Sequence, residues 1–74
     1  MAYGRIFPKS MKNEVIEIIK NLIDLGINFH LHEFESGGLV IAIDNGLEKL
    51  PIDGETKEHY LPLGSNHGFS IYKI

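Results

Sequence analysis

Between residues 11 and 25 the apolar positions recur at helical spacing. Stepped around a helix, Val15, Ile16, Ile18, Ile19, Leu22, Ile23 and Leu25 fill an arc of roughly 180°, where a surface helix needs only somewhat over 100°. Asn13, Glu14, Glu17, Lys20, Asn21 and Asp24 hold the other side. Ser10 stands where an N-cap residue would, and Gly26 where a left-handed residue would end the helix, with Ile27 folding back on Leu22. The pattern predicts one amphipathic helix over about 11–25. Ile16 and Ile23 share one margin of the arc. Cover by a neighbouring loop or the N-terminal strand is the plain expectation for them, a subunit contact the sharper one.

From Asn28 the period changes to two. Residues 28–52 read as three strand-like runs, NFHLHEF, LVIAID and LEKLPI, joined by Ser36-Gly37-Gly38 and by Asn45-Gly46. A three-residue loop at 36–38 pairs Leu31 with Ile43 and His32 with Ala42. A two-residue type I′ turn at Asn45-Gly46 pairs Asp44 with Leu47 and Ile41 with Leu50. One face then carries Phe29, Leu31, Leu39, Ile41, Ile43, Leu50 and Ile52. A slip of one residue would mix histidines with isoleucines, so the pattern constrains the register. On this reading Leu31 is core, and Leu31→Ala costs about 2–5 kcal/mol.

Weaker signals flank this centre. Tyr3–Phe7 reads as a short strand. Asp53-Gly54 suits either a tight hairpin turn or the cap of a short helical stretch toward His59; Glu55, Thr56, Lys57 and Glu58 are poor strand formers, which favours the helical turn. Leu61, Leu63, Phe69 and Ile71 alternate with Tyr60, Pro62, Ser70 and Tyr72 around a loop at 64–68, a final hairpin that sets Tyr60 opposite Tyr72. The fold class expected is α+β: one amphipathic helix packed on one face of a small, mainly antiparallel meander sheet, with residues 1–74 as a single domain.

Composition narrows the function classes. A chain of 74 residues buries only about 60% of its unfolded surface and is marginally stable. It has no cysteine, hence no disulfide or thiolate metal cluster to help, and the absence fits a cytoplasmic protein. Oligomerisation is the remaining common stabiliser, so a homo-oligomer is expected. The longest apolar run, residues 39–43, cannot span a membrane, and the N-terminus lacks the apolar stretch of a signal peptide. A net charge of −3 with one arginine, Arg5, argues against nucleic acid, whose phosphates need clustered Lys and Arg. The lysine bias and abundant isoleucine fit a low-GC bacterium or its phage.

The chemistry concentrates on the second sheet face, where the register gathers His30, His32, Phe34, Val40, Ala42, Asp44 and Lys49, with His30 across from Asp44. His30 and His32 point the same way, being two apart on a strand. Two imidazoles and a carboxylate can ligate a divalent metal, or form a His–Asp acid/base pair. The plain alternative is a solvated surface ion pair. Phe34 faces away from the helix, so a second layer or a partner must cover it. The glycine-flanked segment 64–68 could cradle an anion with His67, but it lacks a following helix and the lysine of a phosphate loop. Tyr60 and Tyr72 add contact surface of a kind enriched at interfaces. These observations lead to an expectation of a small non-enzymatic binding or inhibitory module, homo-oligomeric, needing no cofactor. It would act on a protein partner or small ligand through His30, His32, Phe34, Asp44, Lys49, Tyr60, His67 and Tyr72. The alternative is a small metal- or histidine-dependent hydrolase using His30, His32 and Asp44.

Overall fold

The computed structural model describes residues 3–73, with the side chains of Asn66 and His67 outside the described set. In chain order the elements are strand β1 (Tyr3–Phe7), helix α1 (Lys12–Leu25), and strands β2 (Asn28–Glu33), β3 (Leu39–Asn45), β4 (Tyr60–Leu63), β5 (Asn66–Ser70) and β6 (Tyr72–Lys73). β2, β3, β1 and β6 lie side by side in that order, every pairing antiparallel; β4 and β5 form a separate hairpin. The helix packs on one face of this sheet, the α+β arrangement expected. Val15, Ile18 and Leu22 of α1 meet Phe7, Ile41 and Ile43 of the sheet in one core, closed by Ile27, Leu50 and Leu61.

The helix ends as its sequence requires but starts differently. Gly26 takes a left-handed conformation (φ 73°), and the Ile27 N–H bonds back to the Leu22 carbonyl at 3.0 Å while Ile27 itself is buried. Ser10, by contrast, caps nothing. Pro8 is extended and the chain turns at once into a 3-10 turn, Lys9–Met11, so Ser10 is already inside it; Met11 holds the N-cap position of α1 without a side-chain bond. Ile16 and Ile23 remain exposed, so among the described residues nothing provides the expected cover.

The β2–β3 hairpin keeps its predicted faces with a corrected register. Its loop is 35–37, one residue earlier than expected: the Phe34 N–H donates to the Gly38 carbonyl at 2.9 Å, and Gly37 takes the positive φ (93°). Leu31 therefore faces Ile41, His32 faces Val40 and Phe29 faces Ile43. Either of two consecutive glycines could supply the left-handed residue. The observed choice leaves Gly38 opposite Phe34, whose ring would be in ordinary van der Waals contact, 3.5 Å, with a Cβ at Gly38. The slip is two residues, an even number, so no side chain changes face.

The Asn45-Gly46 hairpin does not form. Gly46 has the positive φ (94°) such a turn needs, but a 3-10 turn, Leu47–Lys49, follows and leads the chain out of the sheet. The free edge of β3 is taken instead by β1, from Tyr3 against Ile43 to Phe7 against Leu39. Leu50 still reaches the core, whereas Ile52 is exposed and joined only by a single bridge to His59. Residues 53–58 form a single Asp53-capped turn, the helical-turn alternative reduced to one turn, rather than a strand. Asp53 Oδ1 accepts the N–H groups of Glu55 and Thr56 at 2.7 and 3.2 Å, and the Lys57 N–H returns to the Asp53 carbonyl at 2.7 Å.

The last hairpin pairs Tyr60 with Ser70 and Leu61 with Phe69, so Tyr60 does not face Tyr72; Tyr72 belongs to β6 and pairs with Gly4. The 64–68 segment is mostly strand rather than loop. Gly68 (φ 85°) sits so close that a Cβ there would lie 1.7 Å from the Leu61 carbonyl oxygen. Asn21 Nδ2 donates to the Pro62 carbonyl at 3.1 Å, fixing the hairpin to α1, and the Phe69 ring meets Phe7 edge-on at 5.2 Å. Arg5 donates to the Ser70 carbonyl at 3.0 Å and lies 5.0 Å over the Phe69 ring, so the chain's arginine joins β1 to β5.

Candidate functional site

Because α1 covers one sheet face only, the other is open. β1 contributes Gly4 and Ile6 to it, β2 contributes His30 and His32 with Phe34 just beyond, β3 contributes Val40, Ala42 and Asp44, and β6 contributes Tyr72. Alternation along each strand puts these residues on the side opposite the core. Ile6 pairs with Val40, and Gly4 lies between Ala42 and Tyr72. The small residues at Gly4 and Ala42 leave a hollow between larger neighbours. The result is an open depression of about 520 Å³, walled by Ile6, Phe34, Val40 and Tyr72. Val40 is buried at its floor, while Ile6, Phe34 and Tyr72 are 64%, 46% and 60% exposed. Large apolar side chains grouped this way on a monomer mark a contact surface more often than single exposed ones do.

Beside the depression lies the histidine row. His30 Nδ1 contacts Asp44 Oδ2, both side chains being exposed. The two residues are diagonal rather than opposite, since His30 pairs with Ala42. The His32 ring stacks on His30 with centroids 5.8 Å apart and planes 18° apart. Stacked rings present their faces to each other, not their nitrogens to a common point. Among the described residues no group of three or more His, Cys, Asp or Glu side chains stands close enough to hold a metal ion.

His30, His32, Phe34 and Asp44 thus share the open face as the alternation suggested, and Tyr72 joins them through β6 rather than facing Tyr60. Lys49 leaves it: its Nζ reaches the Gly26 carbonyl at 3.4 Å, where a cation suits the C-terminal end of α1. Tyr60 lies on the separate hairpin, its hydroxyl 3.4 Å from Thr56 Oγ1. The side chain of His67 lies outside the described residues. The contributors that sequence reading missed are Gly4 and Ile6. Their signal was the alternation of Tyr3, Arg5 and Phe7 against them, but nothing local says that β1 enters the middle of the sheet.

A second hollow of about 500 Å³ lies among Tyr3, Leu47, Lys57, Glu58, His59 and Ile71. At its edge His59 Nδ1 is buried with no hydrogen-bond partner among the described residues. Lys57 has a positive φ of 57°, unusual for a non-glycine residue.

Comparison with known proteins finds no matching family model, no matching curated protein and no matching solved structure. The described residues include no helix long and apolar enough to cross a membrane. The fold and the open face define a small two-layer α+β domain with one sheet face uncovered.

Proposed function

We propose that this protein is a non-enzymatic binding module, homo-oligomeric, that meets a protein partner through the open sheet face and acts as an inhibitor or adaptor of that partner. The observation that carries this reading is the grouping of Ile6, Phe34 and Tyr72 around Val40 on a face that none of the described elements covers. A broad, shallow, apolar surface suits a protein side chain or strand better than a small molecule, which needs enclosure on most sides. His30, His32 and Asp44 form a polar rim on one side of this apolar centre, as interfaces generally have.

The test is capture from a cell lysate of the source organism, followed by reconstitution with the purified partner. Ile6→Glu and Tyr72→Glu each place a charge on the face without touching the core, and each should abolish the complex. Lys20→Glu, on the solvent side of α1, should leave it intact. Undiminished binding by both face variants would exclude this surface.

A further inference from the structure

The sheet has two outer edges, and they differ. β6 has two residues and offers little backbone, which is one way proteins blunt an edge. β2 has six residues and, among the described residues, no neighbour on its outer side. The Phe34–Gly38 hydrogen bond fixes which of its backbone groups are used. Alternation from that bond turns the N–H and C=O of His30 and His32 inward to β3, and those of Phe29, Leu31 and Glu33 outward. The usual guards are missing from this stretch. It has no proline or lysine, its one irregularity lies at its start between Asn28 and Phe29, and its one charge, Glu33, lies at its end, 3.8 Å from Lys9 Nζ.

We infer that β2 pairs antiparallel with β2 of a second copy of this chain, about a two-fold axis through Leu31. This rests on the homo-oligomeric part of the function proposed above and assigns its seam. The register is self-complementary. Leu31 faces its own symmetry mate and Phe29 faces Glu33 of the other copy, so every outward N–H and C=O of these three residues meets a partner. The two Glu33 carboxylates fall at opposite ends of the seam, which avoids like-charge contact. The seam also accounts for Leu31, an apolar side chain 47% exposed on an edge strand. Asn21 and Glu17 mark the flank of α1 that meets the β4–β5 hairpin, and that hairpin packs at the β1 end of the sheet. The opposite flank, with exposed Ile16 and Ile23, therefore overhangs β2. A strand seam about 20 Å long is by itself short of the roughly 800 Å² per partner of a standard interface, and this flank supplies further apolar area. Joined this way, two sheets become one, with the histidine rows of both copies side by side on the open face.

The experiment is sedimentation of the full chain over a wide concentration series, with the cross-linking of single-cysteine variants. The wild type should dimerise, and Leu31→Lys, checked by circular dichroism to be folded, should be monomeric. The chain has no native cysteine. Residues opposed in such a pair stand about 5.5 Å apart, within disulfide range, so Leu31→Cys should oxidise to a linked dimer whether or not Leu31→Lys folds. Glu33→Cys, facing Phe29, should not. A wild type monomeric throughout overturns both the seam and the oligomeric part of the function proposed. A dimer that survives Leu31→Lys and does not link through Leu31→Cys overturns the seam alone. Dissociation by Ile6→Glu in place of Leu31→Lys would move the contact to the open face.

Discussion

Single positions in this chain differ sharply in what they can tolerate. At Gly68 the backbone conformation is left-handed and the space for a side chain is filled by the Leu61 carbonyl. Gly68→Ala should cost at least about 2 kcal/mol, combining left-handed strain with displacement of β4; urea denaturation would show it as a lowered midpoint. His30 and Asp44 are the opposite case. Their contact is exposed on both sides, and solvent competes with it. His30→Ala or Asp44→Ala should shift stability by no more than about 1 kcal/mol, read from the same denaturation curves. Any larger effect of either variant should appear in partner binding.

Elements reveal why some of the sequence was readable and some was not. α1 was legible because period and cap agree: Val15, Ile18 and Leu22 define its buried stripe and Gly26 its end. The two faces of β2 and β3 were legible because alternation survives an even register slip. The slip itself was hidden by two adjacent glycines, each able to make the turn. At Gly46 the local conformation was foreseeable but its consequence was not, since whether a hairpin follows depends on β1 occupying the neighbouring edge. That same distant pairing hid the Gly4 and Ile6 half of the open face. Ile41 is fully buried whereas Leu31 is half exposed on the edge. Measured by chemical denaturation of the monomer, Ile41→Ala should cost about 2–5 kcal/mol and Leu31→Ala under about 1 kcal/mol.

The whole molecule is a two-layer domain whose second sheet face is available for contact. Charge placed there should affect association and spare stability: Ile6→Glu should keep the thermal midpoint of the wild type within a few degrees while eliminating complex formation, as followed by differential scanning calorimetry beside a binding titration. The position of β1 in the sheet also bears on how the molecule is made. β1 is synthesised before either of its neighbours, β3 and β6, and β6 is the last of the described strands. β1 must therefore wait, unpaired, until β3 has been made, while α1 and the β2–β3 hairpin can organise from local contacts. Docking of β1 on β3 is a long-range event, and until it happens the nascent chain carries an open strand with Ile6 and Phe7 on it, a natural binding segment for a chaperone.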